Sequence, residues 1–385
     1  MSDTLMSAEV AEIPAASARF LDGSRERVAA AAAAMRAVDP RLIVTVARGS
    51  SDHAATYLKY VAELAAGVPV ASVGPSVASV YGRTLKLDGA VCVGISQSGQ
   101  SPDIVEMMKS AGEGGGLTVA ITNDAAAPMA AACAHTLPLA AGPERSVAAT
   151  KTFVTSVLAG LALVAEWRED AALRAAVAAL PGQFEAALGC DWTPLSDRLV
   201  RAGSAFVLGR GPGFAIASEV ALKFKETCAI HAESYSAAEV LHGPAAIVQA
   251  HFPVLALAVE DAAKPAVVAT AERLAGQGAD VFLTAPGAAG VVSLPAVEGV
   301  HPLTAPLVLA VSAYRFIEAL ARRRGRWSPS GRRTTACGRR SRRCRGSSSG
   351  RSPATGRRSP TGWCGRTRPS CLGGGRGSPS PTRWR

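Results

Sequence analysis

The stretch Leu42-Ile-Val-Thr-Val-Ala-Arg-Gly-Ser-Ser51 places a short apolar, β-branched run directly before a glycine-containing turn, and a helical pattern follows from His53 to Leu64. A similar arrangement returns at Ala205–Leu208, where the turn Gly209-Arg-Gly-Pro-Gly213 leads into a second helical pattern. The Arg-Gly pairs of the two turns are 162 residues apart. This similarity predicts an internal repeat of strand, turn and helix.

Further apolar runs alternate with helical patterns; they are Ala90–Ile95, Leu117–Ile121, Val254–Val259 and Val281–Leu283. Continuous apolar strands between helices are typical of a parallel sheet covered on both faces. We therefore predict an α/β protein with two tandem doubly wound parallel-sheet domains over residues 31–180 and 195–326, after a helical N-terminal segment over residues 1–30. We expect the join between Leu180 and Pro194, where Pro181, Gly182, Gly189 and Pro194 interrupt the pattern.

The C-terminal residues differ in composition from the rest of the chain. Of the 41 Lys and Arg, 19 are arginines within residues 322–385, which contain no Asp or Glu, so the formal net charge of +11 becomes −8 for residues 1–321. Such a segment buries too little apolar surface to offset its ordering entropy, and we predict a disordered Arg-rich tail over residues 327–385. Three origins are open: a basic tail for acidic partners, a solvated linker, or a GC-rich coding sequence read in the wrong frame, which the abrupt junction favours.

The rest of the composition is typical of a globular enzyme. Apolar runs such as Val157–Ala165 are shorter than the roughly 20 residues of a membrane span, and the N-terminus has no signal-peptide pattern. The cysteines of residues 1–321 have no metal-binding spacing, so we expect reduced thiols in a cytoplasmic protein without a metal centre. Nucleic-acid binding would rest on the charge of the tail alone, and we expect neither a nucleic-acid nor a membrane partner.

The segment Ser96-Gln-Ser-Gly-Gln-Ser-Pro-Asp103 follows the apolar run Ala90–Ile95. Ser101 suits a helix N-cap and Pro102 the first helical position, so the loop presents backbone N–H groups and three hydroxyls at a helix N-terminus. That arrangement holds a phosphate, although an ordinary serine-rich turn is the simpler alternative. The matching segment Ala258–Asp261 has two acids and no serine, which predicts one phosphate site per chain.

Glu219, Lys223 and Glu226 stand at i, i+4 and i+7, so they share one helix face. A polar stretch follows, from His231 to His242. A solvated face with salt bridges would explain the pattern without any function. The functional interpretation is a carboxylate base beside a lysine, with a histidine on a loop, a set that suits proton transfer next to a sugar carbonyl.

Several motifs together resemble the sugar isomerase (SIS) family; they are Ser96–Asp103, Ser146-Val-Ala-Ala-Thr-Lys-Thr152, Leu222-Lys-Phe-Lys-Glu226 and Glu239-Val-Leu-His-Gly-Pro244. The resemblance covers roughly residues 8–326. It is similar to the isomerase half of glutamine–fructose-6-phosphate aminotransferases and, among shorter members, to SIS-type glucosamine-6-phosphate deaminases. It implies conversion of glucosamine 6-phosphate to fructose 6-phosphate and ammonia, without a metal or an organic cofactor.

The resemblance also implies a role for each matching residue. A hexose or hexosamine 6-phosphate would be held by Ser51, Ser96, Gln97, Ser98, Ser101 and Val147. Glu226 would move a proton between C1 and C2, and Lys223 would tune it. His242 would open the sugar ring from the neighbouring subunit, which implies a homodimer with a shared active site. The supporting residues would be Glu219, Thr150 and Lys151.

Two other functions fit the same motifs: a synthase using free ammonia or a separate glutaminase, and a non-catalytic sugar-phosphate sensor. Retention of Glu226 and His242 argues against the sensor.

The family's C-terminal tail carries a lysine that closes over the sugar, whereas the last lysine here is Lys264. This difference favours the wrong-frame origin of residues 327–385 and predicts impaired activity.

Overall fold

The computed structural model describes residues 4–326, in which strands and helices alternate in two successive blocks. The tail expected over residues 327–385 lies outside the described residues. The first block comprises α1 (Leu5–Ala11), α2 (Ile13–Gly23), α3 (Arg25–Val38), β1 (Ile43–Val46), α4 (Ser50–Ala66), β2 (Val70–Ser72), α5 (Ser76–Ser79), β3 (Val91–Ile95), α6 (Pro102–Glu113), β4 (Leu117–Thr122), α7 (Pro128–Ala131), β5 (His135–Pro138), α8 (Lys151–Trp167) and α9 (Ala171–Ala187). The second comprises α10 (Thr193–Leu199), β6 (Ser204–Gly209), α11 (Pro212–Lys223), a π-helical segment (Phe224–Cys228), β7 (His231–Ser236), 3₁₀ turns (Glu239–His242 and Pro244–Ile247), β8 (Pro253–Ala256), α12 (Lys264–Gly276), β9 (Asp280–Leu283), β10 (Val292–Ser293) and α13 (Ala305–Arg323).

The two blocks form two five-stranded sheets with the same strand order. The first is ordered β2-β1-β3-β4-β5 and the second β7-β6-β8-β9-β10, and all neighbouring strands are parallel. The predicted fold class of two doubly wound parallel sheets is therefore confirmed. In this order the chain reverses direction across the sheet between β1 and β3, and again between β6 and β8. Such switch points open a crevice at the carboxyl ends of the strands.

A continuous apolar core joins the two sheets. One cluster of buried side chains includes Val93 of β3, Val157 of α8, Val207 of β6, Val220 of α11 and Leu309 of α13. Helix α8 is buried over nearly its whole length, as expected of a helix with apolar residues on every side. Both sheets belong to one compact unit, so residues far apart in sequence can meet between them.

The segment expected to join the two domains is mostly helical. Pro181 and Gly182 lie inside α9, and Pro194 lies in the first turn of α10. A proline in a helix interior removes one hydrogen bond, but α9 offsets the loss with a buried apolar face formed by Leu173, Val177, Leu180 and Phe184. The break in helical structure is thus confined to residues 188–192, between α9 and α10.

Strand β7 was not predicted as a strand, because its residues are polar. It lies at the edge of the second sheet, and most of its side chains are partly exposed. An edge strand is buried on one side, so it lacks the continuous apolar run that is typical of a central strand. Within residues 4–326, no helix combines the length and the apolar character needed to cross a membrane.

Candidate functional site

The serine-rich loop between β3 and α6 takes the conformation that its sequence predicts. Strand β3 is fully buried, and α6 begins at Pro102 with Ser101 as the N-cap residue. The hydroxyl of Ser101 makes no capping hydrogen bond to the helix. Pro102 has no N–H and the N–H of Ile104 donates to the carbonyl of Ser101 at 3.1 Å, so the first turn offers an anion the N–H of Asp103 and the hydroxyl of Ser101.

Hydrogen bonds within this loop hold it in one shape. The Oγ of Ser96 accepts from the N–H of Gly99 at 3.2 Å, and the Oγ of Ser98 accepts from the N–H of Gln100 at 3.3 Å. Each hydroxyl keeps its own hydrogen to donate. The carbonyl of Gln97 accepts from the N–H of Asn123 at 3.0 Å, which ties the loop to the end of β4.

Position 99 requires a glycine because of both its backbone conformation and the lack of space for a side chain. Its φ is +61°, and a Cβ built there would lie 2.6 Å from the Cβ of Ala127 and 2.8 Å from the Oγ1 of Thr122. Only glycine allows the backbone to approach this closely. The loop therefore lies on a tightly packed base that includes Ala127 and Thr122.

The turn after β1 lies beside this loop, because β1 and β3 are neighbouring parallel strands whose paired residues include Val46 and Gly94. Arg48 forms an ion pair with Asp103 in the first turn of α6. Helix α4 starts at Ser50, so Ser51 lies in its first turn. Two helix N-termini thus flank the first switch point, where the sequence placed the sugar phosphate.

Lys223 connects this crevice to the charged helix of the second block. Its side chain is 1% exposed, and its Nζ lies 2.7 Å from Oε2 of Glu226 and 3.3 Å from Oε1 of Glu219. The same Nζ donates to the Oγ of Ser50 at 2.9 Å. Because Ser50 precedes Ser51, one ammonium links the candidate base to the edge of the candidate phosphate site.

Glu219 is fully buried and is surrounded by donors. Its Oε1 accepts from the hydroxyl of Tyr314 at 2.9 Å, and its Oε2 lies 2.9 Å from Nδ1 of His53. An ionised carboxylate only accepts, so Nδ1 of His53 carries the hydrogen. Burial acts to raise the pKa of Glu219, but Lys223, His53 and Tyr314 outweigh it and hold the pKa below 4.5. Burial likewise acts to lower the pKa of Lys223, and the two carboxylates outweigh it.

Glu226 belongs to the π-helical segment rather than to a continuous α-helix. Its side chain is 30% exposed, whereas those of Glu219 and Lys223 are buried. After the π turn, Ala229 adopts a left-handed conformation with φ 51°. π-helical turns are rare and recur at functional sites. The expectation of one helix face for all three residues is therefore modified: Glu226 leaves the buried face and reaches solvent.

The loop that carries Val147 is anchored by carboxylates. Val147 is 62% exposed. Oε1 of Glu9 accepts from the N–H of Arg145 at 2.5 Å and from that of Ser146 at 3.1 Å, although burial raises the pKa of Glu9. Oε1 of Glu144 accepts from the N–H of Thr150 at 2.8 Å. Neither carboxylate was predicted; for Glu9 the reason is that no local pattern relates α1 to a loop more than 130 residues away.

The structure gives Thr150 and Lys151 anchoring positions. Both are buried, and the Nζ of Lys151 donates to Oε2 of Glu12 at 2.5 Å. The side chain of Asn123 joins this loop to the serine-rich loop, since its Nδ2 donates to the carbonyl of Gly142 at 2.8 Å. The two loops therefore form one connected rim at the carboxyl edge of the first sheet.

His242 is exposed on the 3₁₀ turn Glu239–His242. Within residues 4–326 it does not join the hydrogen-bond network of Lys223 and Glu219. Nor do any three His, Cys, Asp or Glu side chains of this part lie together in a way that could hold a metal ion. The chain thus links Lys223 to the two carboxylates and, through Ser50, to the turn beside the serine-rich loop, but leaves His242 at the surface.

The family profile of the SIS domain matches residues 38–166 and 198–284. The isomerizing glutamine–fructose-6-phosphate aminotransferase of Halobacterium salinarum is 34% identical over 292 residues, which cover 70% of this chain and 47% of that protein. The chain spans about half the length of the curated relatives it matches.

Solved structures show the same similarity. A proposed phosphosugar isomerase from Silicibacter pomeroyi DSS-3 is 53% identical, with a TM-score of 0.82, over 84% of this chain and 99% of that one. The C-terminal domain of glucosamine-fructose-6-phosphate aminotransferase from Francisella tularensis is 25% identical, with a TM-score of 0.72, over 84% and 97% of the two chains.

Proposed function

Because this chain belongs to the SIS domain family, we propose that it is an enzyme acting on a hexosamine 6-phosphate, and specifically that it converts glucosamine 6-phosphate and water to fructose 6-phosphate and ammonia. The observation that supports this most directly is the position of Lys223. One buried ammonium contacts Glu226 and also the Oγ of Ser50, beside the serine-rich loop. This contact supports a site in which one small substrate would reach both the base and the anion-binding loop.

The phosphate would bind at the first switch point. Ser51, Ser96, Ser98 and Ser101 would donate hydroxyl hydrogens to it, together with Gln97 and the amides at the N-terminus of α6. The exposed Val147 would contact the sugar from the rim. A dianion suits this place, because hydrogen bonds to charged acceptors are shorter and stronger than neutral ones.

Glu226 would carry out the proton transfer. With the sugar in its open-chain form, the carboxylate removes the proton on C2 and returns a proton to C1, while O1 gains a proton and the C2 amine loses one. The aldehyde carbon thereby becomes an alcohol and C2 becomes an imine. Water then adds to C2 and ammonia leaves, which gives the ketone. The Nζ of Lys223, 2.7 Å from Oε2 of Glu226, stabilises the carboxylate charge.

His242 would open the sugar ring from a second copy of the chain, and the proposed active unit is therefore a homodimer. Its exposed position on the turn Glu239–His242 is compatible with a reach outward. Glu219, Thr150 and Lys151 would support the site from behind, since all three are buried. Neither a metal nor an organic cofactor is required by these steps.

The test is to supply glucosamine 6-phosphate and to measure ammonia and fructose 6-phosphate by separate coupled enzymes. Both products should appear in equal amounts. Glu226→Gln should lower turnover by about 10² or more, in line with general-base contributions. Glu185→Gln, the same change at an exposed glutamate of α9, serves as the control. Binding without turnover in the unmodified chain would refute the proposal and favour a sensor.

A synthase using free ammonia is the second candidate, because the curated relatives are isomerizing aminotransferases. Both candidates catalyse the same reversible reaction, so the KM for ammonium distinguishes them. A synthase should reach half its maximal rate of glucosamine 6-phosphate formation at a far lower ammonium concentration than a deaminase.

A further inference from the structure

The hydrogen-bond network around Glu219 extends beyond the residues that the proposed reaction uses. Two of its three donors come from other elements: His53 from α4 and Tyr314 from α13. The third is Lys223, one turn further along the same helix. Within the described residues, Glu219 therefore joins three helices at the junction of the two sheets.

Lys223 faces two carboxylates with one ammonium. Its Nζ is nearer to Glu226, at 2.7 Å, than to Glu219, at 3.3 Å. A fully buried carboxylate such as Glu219 needs donors to offset its lost hydration. His53 and Tyr314 supply two of them, so Glu219 shares the ammonium of Lys223 with Glu226.

We propose that His53 is a positioning residue for proton transfer: by donating Nδ1–H to Glu219, it determines how closely Lys223 approaches Glu226. His53 acts through Glu219 and Lys223 and touches no reacting atom. This inference rests on the proposed function in one respect, namely that Glu226 is the base.

The surroundings of His53 agree with this role. Its side chain is 23% exposed, and it lies in the first turn of α4, three residues after Ser50, which also contacts Lys223. Asp52 of the same turn and Glu219 are the charged groups that interact with it. Loss of the His53 donor would leave Glu219 with fewer hydrogen bonds, so the ammonium of Lys223 would move toward Glu219 and away from Glu226.

Two substitutions separate the N–H donor from the rest of the imidazole. His53→Asn keeps an N–H near the position of Nδ1, whereas His53→Leu fills the space without a donor. We expect His53→Leu to lower kcat roughly tenfold with KM changed less than about twofold, because substrate contacts remain and one hydrogen bond is lost. His53→Asn should restore most of kcat. Equal loss in both variants, or a loss confined to KM, would overturn the proposal.

Two further variants control for packing. Tyr57→Phe removes a buried hydrogen bond of the same helix, from the Tyr57 hydroxyl to the carbonyl of Leu303 at 2.7 Å, and should leave kcat unchanged. Tyr314→Phe removes the second uncharged donor to Glu219 and should lower kcat as His53→Leu does. If Tyr57→Phe lowers kcat as much, the effect is general loosening of the core and the inference is wrong.

A measurement without substrate separates this inference from the proposed function. The effects of His53→Leu and Lys223→Met on the urea midpoint should be non-additive, because both side chains bind the same carboxylate. Additive effects would refute the network itself. A different result would instead refute the proposed function. In that case the effects are non-additive, but the unmodified chain releases no ammonia and Glu226→Gln is indistinguishable from it.

Discussion

Lys223→Met tests the buried charge cluster most directly, because methionine keeps much of the side-chain volume and removes the ammonium. Lys223 is 1% exposed and Glu219 is fully buried, so the variant leaves a buried carboxylate without its cation. Breaking a buried ion pair by removing one partner costs about 3–5 kcal/mol. His53 and Tyr314 still donate to Glu219, so we expect the lower end, about 3 kcal/mol of unfolding free energy at neutral pH.

The loss of unfolding free energy in Lys223→Met should depend on pH in a defined direction. In the unmodified protein the folded-state pKa of Glu219 lies below its ordinary 4.5, so its ionised form contributes stability above that pH, which is lost as the pH falls through the folded pKa. Without Lys223, burial dominates and raises the pKa of Glu219, so ionisation costs stability as the pH rises. The difference in unfolding free energy between the unmodified protein and Lys223→Met should therefore be smallest at acid pH and increase toward neutral pH.

Urea unfolding followed by circular dichroism at acid and neutral pH measures this difference. Lys109→Met, at an exposed lysine of α6, serves as the matched control. Adding Glu219→Gln to Lys223→Met should recover much of the stability at neutral pH, since no buried charge then remains. A loss below about 1 kcal/mol, typical of surface pairs, or a loss independent of pH would refute the reasoning.

Three other variants test the site. Ser98→Ala should weaken binding of fructose 6-phosphate roughly tenfold by calorimetry, through one lost bond to a charged acceptor, and unchanged affinity would remove Ser98 from the phosphate site. Gly99→Ala should cost about 2 kcal/mol or more in urea unfolding, because left-handed backbone and overlap with Ala127 both oppose a Cβ, and a neutral effect would contradict the loop geometry. Mixing inactive Glu226→Gln and His242→Ala chains should restore activity if His242 acts across a dimer; no recovery despite proven subunit exchange would place each site within one chain.

Much of the fold is local and was therefore predictable. The apolar runs at Leu42–Ala47 and Ala90–Ile95 became the buried strands Ile43–Val46 and Val91–Ile95, because a strand covered on both faces needs a continuous apolar run. Ser101 and Pro102 marked the start of α6 through the chemistry of helix N-termini. The polar edge strand His231–Ser236 lacked such a run and was missed.

Local patterns also misplaced some features. Pro181 and Gly182 predicted a break, yet α9 continues through them because its buried apolar face outweighs the lost hydrogen bond. The spacing of Glu219, Lys223 and Glu226 predicted one regular helix, and it could not show the π turn that brings Glu226 to solvent. Helical periodicity describes a face of a regular helix and contains no signal for an extra residue in one turn.

The sequence by itself determined the two parallel sheets, the serine-rich loop at the carboxyl end of a strand, and the placement of Glu219 and Lys223 on one helix, because each depends on neighbouring residues. Only the tertiary structure decided which groups meet. Lys223 contacts Ser50 from 173 residues away, and Glu219 gathers His53 and Tyr314 from two other helices. These contacts depend on how α4, α11 and α13 pack around one apolar core, and no periodicity within a single helix encodes that packing.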